Sequence, residues 1–252
     1  MKRSLKDLIG YKIEAKDGIS GRVKDFLFDE ENWVIRYLKA DLGTFLLGRN
    51  VLIPKEFLKQ PDWNSLSFPV ELSKEEIKKS PLLDDNITVS RKYEQELNKH
   101  FKIIDYWSNI NISPVGGMAY YYPPRPITAP TKIIDEKDLN TSIRSFKEVK
   151  GYHIHALDGE IGHIDDLIIE DSDWQIVYAV VDTRNWLPWS KKVLISINHM
   201  DKISYAKQKI NINLNIETIK NAPELNYSEP INEEYEKQLY DYYGRPVMSH
   251  HK

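Results

Sequence analysis

Apolar and polar residues alternate with a period of two in the clearest segments of this chain. Ile210, Ile212 and Leu214 alternate with polar residues, and Trp33, Ile35 and Tyr37 recur at every second position, as do residues 174, 176 and 178. Side chains two residues apart share one face of a β-strand but not of a helix. The pattern predicts half-buried strands, with the tryptophan at the head of each apolar face lying in a core.

The chain contains an internal repeat. A shift of 141 residues aligns Gly10–Gly18 with Gly151–Gly159, and 12 of the 32 positions from residue 10 to 41 are identical in the second copy. Roughly two identities would be expected by chance from average residue usage. With one inserted residue the correspondence continues to the end of each copy, so we infer a duplicated unit of about ninety residues.

The shared residues predict a small β-fold. Asp-Gly at residues 17–18 and 158–159 lies between short β-prone runs and predicts a hairpin with a type I′ turn. Gly21 and Gly162 follow inside a strand pattern, where glycine indicates a bulge or a close backbone approach. The pattern predicts a tightly curved sheet.

Further along each copy the pattern predicts more strands and then helices. The runs at 51–54 and 193–196 predict a fourth strand, and residues 62–70 and 203–214 a fifth. The capping residues Ser73 and Asn215 and a change of period predict a short helix before Pro81 and before Pro223 in the two copies. Longer helices are expected over residues 90–101 and 232–243.

Length and the repeat together predict two domains. We expect a first domain over residues 1–103, a Pro/Gly/Tyr-rich linker over 104–140 and a second domain over 141–252. The linker lacks a sustained period, which is typical of an extended polyproline-like spacer, and its other interpretation is a peptide that docks in an aromatic-lined groove. Proteolysis within it should leave two folded fragments.

Composition narrows the function classes. The 252 residues carry a formal net charge of -3 and a sequence pI near 6.2, which does not favour DNA or RNA as a partner. The chain has no cysteine, which excludes disulfides, zinc-thiolate sites and thiol catalysis. No apolar run approaches the ~18–20 residues that span a bilayer, and the start of the chain is charged, so we expect a cytoplasmic protein without a membrane span.

Three histidines make up the best metal-like cluster. His153 and His155 share a strand face, and His163 is close in sequence to three carboxylates. The alternative interpretation is that these histidines lie on a solvated strand face. We favour it because the first copy has other residue types at the same positions, namely Lys12, Glu14 and Arg22. We therefore expect no metal and no cofactor.

Carboxylates shared by the two copies could in principle serve acid–base chemistry. These are Asp25 with Asp166 and Asp41 with Asp182. Nothing in the sequence places two of them around one substrate atom, so hydrogen bonding to backbone amides is the favoured role. The chain also lacks the nucleophile, phosphate-loop and zinc-protease motifs, so we expect no catalytic residue and no enzyme.

One loop of the second copy has an unusual composition. Residues 183–189 contain Arg184, Trp186, Leu187 and Trp189, without a periodic partner for the aromatic side chains. Arginine and tryptophan on a loop are typical of binding hot spots. Two interpretations stay open, local packing of the loop and a partner surface made of these four residues.

The repeated residues resemble the PRC-barrel domain, named for the cytoplasmic domain of the photosynthetic reaction centre H subunit and similar to the C-terminal domain of the ribosome maturation factor RimM. The resemblance rests on the Gly-Tyr, Asp-Gly, Gly, Asp, Trp-x-Ile-x-Tyr and Val-Leu-Ile positions of both copies. It implies a mainly β protein of two tandem small barrels, each followed by short helices.

That resemblance implies a non-enzymatic interaction or adaptor module with a protein partner, and a homo-oligomer is also compatible with it. The alternatives are a sensor that binds a small ligand or metal, or a ribosome-associated factor like RimM.

Overall fold

A computed structural model describes residues 1–43, 49–83, 89–107, 142–183, 191–226 and 231–244. The chain divides into two compact units, of which the first combines Met1–Leu83 with Ser142–Lys252 and the second is Asp84–Thr141. Both sequence repeats therefore contribute their strands to one unit. The domain boundaries at residues 103 and 141 remain a prediction.

The first unit is mainly β, as predicted. Its first-repeat strands are β1 (Lys2–Ser4), β2 (Lys12–Ala15), β3 (Gly18–Asp29), β4 (Val34–Asp41), β5 (Asn50–Pro54) and β6 (Ser67–Pro69). Its second-repeat strands are β7 (Ile143–Ser145), β8 (His153–Ala156), β9 (Gly159–Glu170), β10 (Gln175–Asp182), β11 (Lys192–Ser196), β12 (Met200–Ser204) and β13 (Lys209–Ile212).

Short helices accompany each repeat. They are α1 (Leu5–Leu8), α2 (Lys74–Lys79), α4 (Phe146–Val149), α5 (Ile216–Asn221) and α6 (Glu233–Tyr243), with 3-10 turns at Lys55–Phe57 and Ile197–His199. The second unit contains α3 (Arg91–Phe101), where the Tyr106 hydroxyl donates to Glu94 at 3.0 Å. The predicted short and long helices are confirmed in both copies. No helix in the described ranges is long and apolar enough to cross a bilayer.

Each repeat builds a curled sheet on the same plan. Strands β2, β3, β4 and β5 pair antiparallel in sequence order, and β6 adds beside β2 in parallel. The long strand bends where Gly21 has φ +115°, and a Cβ there would lie 2.3 Å from the carbonyl oxygen of Asp41. Gly162 makes the same approach to Asp182 in the second repeat, at 2.1 Å. The predicted close approach is confirmed, and only glycine fits it.

The opening hairpins form as predicted, but their turn type is not I′. That turn needs positive φ at both central residues. In the described chain only Gly18 has positive φ here, and neither Lys16 nor Asp17 does. The Asp17 carboxylate instead accepts the backbone N–H of Lys74 at 2.8 Å, at the start of α2. Its equivalent in the second repeat does the same for Ile216 at the start of α5. The aspartate is shared because it connects the hairpin to a helix.

The prediction of a single fifth strand is wrong. In the second repeat the segment folds back as the antiparallel pair β12 and β13, with Gln208 at φ 47° in the turn. In the first repeat Asp62 bridges Ser67, and Leu66 has φ 49°. The chain reverses at these left-handed residues. The second half of the segment therefore runs parallel to an earlier strand of its own repeat, β6 beside β2 and β13 beside β8.

The two curled sheets meet along β4 and β10. Val34 pairs with Gln175, and the N–H groups of Ile35 and Ile176 bond to the tryptophan carbonyls of the opposite repeat at 2.9 and 2.7 Å. Trp33 and Trp174 lie in the turns before these strands, with φ 52° and 67°, so they do not head the strands as predicted. Both rings are buried, which confirms their place in the core.

Helix α6 covers one face of the second repeat. Its Leu239 packs in a buried cluster with Ile168, Tyr178, Val180, Leu194 and Leu225. The Tyr178 hydroxyl donates to Glu236 of the helix at 2.9 Å. That carboxylate also pairs with Lys2 at 3.0 Å, so the helix contacts both repeats.

Candidate functional site

The two repeats exchange their first segments. The arm of the first repeat, residues 2–8, comprises β1 and α1, and β1 pairs antiparallel with β9 of the second repeat. The arm of the second repeat, residues 143–149, comprises β7 and α4, and β7 pairs with β3 of the first. Register is preserved under the 141-residue shift, since Ser4 faces Ile168 and Ser145 faces Leu27. We call this reciprocal arrangement the junction.

A buried carboxylate accepts hydrogen bonds from each arm. The Ser4 hydroxyl donates to Asp166 at 2.5 Å, and the backbone N–H of Lys6 donates to the same carboxylate at 3.1 Å. In the other half Ser145 donates to Asp25 at 2.5 Å and the N–H of Lys147 donates at 3.1 Å. Each serine also caps its own short helix. One carboxylate therefore fixes both the strand and the helix of the opposite arm.

Burial sets the protonation of these groups. Asp166 is fully buried, and burial raises the pKa of its carboxyl to about 6 despite hydrogen bonds from Ser4, Lys6 and Leu167 that oppose the shift. Burial likewise raises the pKa of Asp25. The donors around both groups belong to the protein itself, so these carboxylates serve the junction.

Ion pairs and aromatic rings surround the junction. Arg3 donates to Asp171 at 2.8 Å, and its guanidinium lies 4.6 Å from the centre of the Trp63 ring. In the other half Arg144 donates to Glu30 at 2.8 Å and stacks over Tyr205 at 4.0 Å. Each arginine thus connects the opposite repeat to an aromatic ring of its own repeat. Trp174 also stacks across the junction on Phe68, at 5.6 Å.

The second pair of shared aspartates is structural too. Asp41 accepts the backbone N–H of Gly43 at 2.8 Å, and Asp182 is fully buried at the close approach to Gly162. The sequence-based preference for backbone hydrogen bonding is confirmed at Asp25, Asp41 and Asp166.

The three histidines lie on one outer strand face. His153 pairs with His163 across β8 and β9, and the neighbouring pair is His155 with Glu160. Both His153 Nδ1 and His155 Nε2 contact the carboxylate of Glu160, at 2.6 and 3.3 Å. Among the described side chains, no group of three or more His, Cys, Asp or Glu residues has the arrangement of a metal site.

The carboxylates near these histidines in sequence have other partners. Asp158 caps α5 and Asp166 receives the arm. Asp165 pairs with Lys192 at 2.7 Å and with Lys6 at 3.3 Å. Although burial opposes the shift, these ammonium groups lower the pKa of Asp165 to about 2.

The predicted partner surface, Arg184, Trp186, Leu187 and Trp189, lies outside the described residues, as does the predicted linker from residue 108 onward. The ends of that loop are described. The backbone N–H and the hydroxyl of Thr183 both donate to the carbonyl of Lys191 at 3.0 Å. Lys191 Nζ donates in turn to the carbonyl of Lys220 at 2.9 Å. The loop therefore starts and ends at a closed pair of residues on the β10–β11 hairpin.

Sequence reasoning missed the arms, although a signal for them exists. Residues 3–8 read Arg-Ser-Leu-Lys-Asp-Leu, and residues 144–149 read Arg-Ser-Phe-Lys-Glu-Val. The same 141-residue shift relates them, and they lie upstream of the aligned residues 10–41 and 151–182. Three identities in six residues would have marked the arms as part of the repeat.

Fold and junction together define a protein of two small curled β-barrels that share one sheet and exchange their first strands. A family model for the PRC-barrel domain matches the chain twice, over residues 2–64 and 144–218, and the matches include residues 2–8 and 144–149 of the two arms. The chain belongs to the PRC-barrel domain family, in agreement with the resemblance of its repeated residues. No curated protein gives a significant match.

Proposed function

We propose that this protein is a non-enzymatic interaction module that acts in the cytoplasm and binds a protein partner through the second repeat. The observation that carries the proposal is the β10–β11 hairpin, whose closed ends at Thr183 and Lys191 bound a seven-residue loop with two tryptophans and an arginine. Aromatic and arginine side chains dominate the binding energy of protein interfaces.

The equivalent hairpin of the first repeat has a different loop. There the N–H of Leu42 donates to the carbonyl of Arg49 at 3.0 Å, and the sequence between them contains Phe45 and Leu47 but no tryptophan. The shared barrel therefore does not require the two indoles of the second loop. Aromatic area beyond the needs of the fold favours recognition.

The shared carboxylates support the non-enzymatic part of the proposal. A general acid or base must reach a proton of the substrate, directly or through one water. Asp25 and Asp166 are buried and each accepts a serine hydroxyl and two backbone N–H groups. Their chemistry is used to hold the two repeats together.

A loop comparison tests the proposal. Full-length protein, the Trp186→Ala/Trp189→Ala variant and the matched first-loop variant Phe45→Ala/Leu47→Ala are immobilised and exposed to native lysate, and captured proteins are identified by mass spectrometry. We expect a partner that the wild type and the first-loop variant retain and the second-loop variant loses, with a melting temperature close to that of the wild type. The interaction is then repeated with the purified partner.

Two results would contradict the proposal. One is a large loss of melting temperature in the second-loop variant with capture retained, because the indoles would then serve folding. The other is capture of ribosomal particles that both loop variants retain and that weakens steeply with salt, because this is the behaviour of a charge-driven RNA contact.

A further inference from the structure

The junction has the form of a symmetric dimer interface, although it lies within one chain. In an isologous interface every contact between residue i and residue j is matched by one between j and i. Here Arg3 reaches Asp171 while Arg144 reaches Glu30, and each arm pairs with the opposite long strand in the same register. The two halves are therefore self-complementary in chemistry and in position.

Each repeat needs an arm from the other repeat to satisfy its buried carboxylate. Without the opposite arm, Asp25 and Asp166 would each lose a hydroxyl and a backbone donor. Leaving a buried acceptor without its hydrogen-bond partner is unfavourable, and more so when the acceptor is charged. The arms also bury apolar side chains completely, namely Leu5, Leu8, Phe146 and Val149. An undocked repeat would expose both kinds of group and so would favour docking on any available repeat.

Nothing in these contacts requires that the two repeats come from one chain. The two halves of the junction are joined covalently only through residues 84–141. A first repeat of one chain and a second repeat of another would make the same hydrogen bonds, ion pairs and strand pairs. Only the chain-entropy difference between intramolecular and intermolecular docking separates the two arrangements.

We propose that the junction is also a self-association surface, at which two copies of this chain exchange repeats and form a closed dimer with two intermolecular junctions. The proposal is independent of the partner proposed for the second-repeat loop. Intramolecular docking has an effective concentration on the order of millimolar, so the closed monomer dominates in dilute solution. Folding at high protein concentration should yield the exchanged dimer, which persists after dilution because opening it exposes both arms.

Isotope mixing tests for exchange with the unmodified chain. Equal amounts of labelled and unlabelled protein are unfolded together, refolded at about 1 µM and near the millimolar effective concentration, and examined by native mass spectrometry. We expect monomer at the low concentration and a dimer of mixed mass at the high one, roughly half of the dimer population. Monomer alone at every concentration would overturn the proposal.

Engineered cysteines locate the contact, since the natural chain has none. Lys2 and Glu170 face each other across β1 and β9, at a separation suited to a disulfide. A chain with Lys2→Cys and a chain with Glu170→Cys, refolded together at high concentration, should give a disulfide-linked pair. Lys2→Cys with Glu217→Cys, an exposed position on α5 and not a strand partner of β1, is the matched control and should give none.

A double variant shows whether cysteines at positions 2 and 170 can form a disulfide in the folded protein. Lys2→Cys/Glu170→Cys in one chain should close an intramolecular disulfide at low concentration. If it does so while the mixed single variants form no intermolecular disulfide, any dimer uses another surface and the proposal is wrong. The loop variants of the second repeat are expected to exchange normally, which separates this proposal from the partner-binding one.

Discussion

The two repeats agree where they contact each other and differ where they face outward. Both place an aspartate at the opposite arm, a glycine at the close approach and a buried tryptophan before the central strand. On the outer face of the first hairpin, however, Lys12 is replaced by His153 and Ile19 by Glu160. The repeat positions that stayed constant are those that the fold and the junction require.

This difference separates structural residues from candidates for function. A residue present in both copies has an explanation in the geometry, as with the aspartate that accepts the first backbone N–H of α2 in one repeat and of α5 in the other. A residue confined to one copy lacks that explanation. The indole-containing loop and the histidine face belong to the second repeat alone, and so that repeat is where we expect recognition to occur.

The largest expected effect comes from the shared tryptophans. Trp33→Ala and Trp174→Ala should each lower the free energy of unfolding by roughly 3–5 kcal/mol, the usual range for a buried aromatic residue. Because the two repeats share one sheet, each variant should still unfold in one transition. Chemical denaturation monitored by circular dichroism measures both quantities. A change below about 1 kcal/mol at either site would mean that the repeats are not equivalent there.

The bend glycines should give the next largest effect. Gly21→Ala and Gly162→Ala would each press a Cβ against a main-chain carbonyl oxygen. Gly10→Ala and Gly151→Ala are matched controls, since both positions also have positive φ but have nothing within 4 Å of the added atom. We expect the bend variants to lose roughly 2 kcal/mol more than the controls, as is typical of overpacking. Equal losses would show that backbone conformation alone explains the glycines.

The junction carboxylate gives a pH dependence of defined sign. The pKa of Asp166 is raised from 3.8 to about 6, so the folded state binds this proton more tightly than the unfolded state does. Its contribution to stability is therefore complete below pH about 4 and is lost as pH rises through 6.

Asp166→Asn keeps the side chain neutral at every pH and so isolates that contribution. The free energy of unfolding of the wild type minus that of Asp166→Asn should fall by about 2–3 kcal/mol between pH 4 and 7. Asp25→Asn should show a change of the same sign. Denaturation curves across this pH range measure both, and a difference that rises with pH would contradict the account.

The smallest expected effect tests the symmetry of the arms. Ser4→Ala and Ser145→Ala each remove a helix cap and one donor to a buried carboxylate, so each should cost about 1–2 kcal/mol. Ser73→Ala removes the cap of α2, which is not part of the junction, and should cost about 1 kcal/mol. Similar losses in the two arms support a reciprocal junction. A loss of stability confined to one arm would show that the two arms are not equivalent and would contradict the reciprocal junction.

The sequence predicts the local elements of this fold well. Period-two alternation identifies the strands, and Ser73 identifies the start of α2 because its side chain accepts the backbone N–H of Glu76. The predicted cap at Asn215 is wrong, since its side chain makes no such hydrogen bond and Asp158 accepts the N–H of Ile216 instead.

The predicted type I′ turn is wrong because the Asp17 carboxylate accepts the backbone N–H of Lys74 at the start of α2. Lys74 lies far along the chain, so no local pattern indicates this contact. The fold-back of the fifth segment was missed because Leu66 and Gln208 take a left-handed conformation that non-glycine residues rarely adopt.

The junction could not be predicted from periodicity. Helices of four residues, such as Leu5–Leu8 and Phe146–Val149, are too short to show a helical period and are not stable alone. Their contacts lie more than a hundred residues away in sequence, so no local pattern indicates them. Comparison of the two copies supplies the only sequence signal for the arms. It indicates that the arms exist but not which strand each arm pairs with.

A cut between the repeats tests the central claim most directly, which is that the reciprocal junction unites both repeats in one structure. A site-specific protease sequence is introduced between residues 120 and 121, the protein is cleaved, and its mass is measured by size-exclusion chromatography with light scattering. The account predicts that both fragments elute together at the mass of the intact chain, and that Asp25→Ala/Asp166→Ala lowers this association. Two separate fragments, each folded and with the mass of a single repeat, would contradict it.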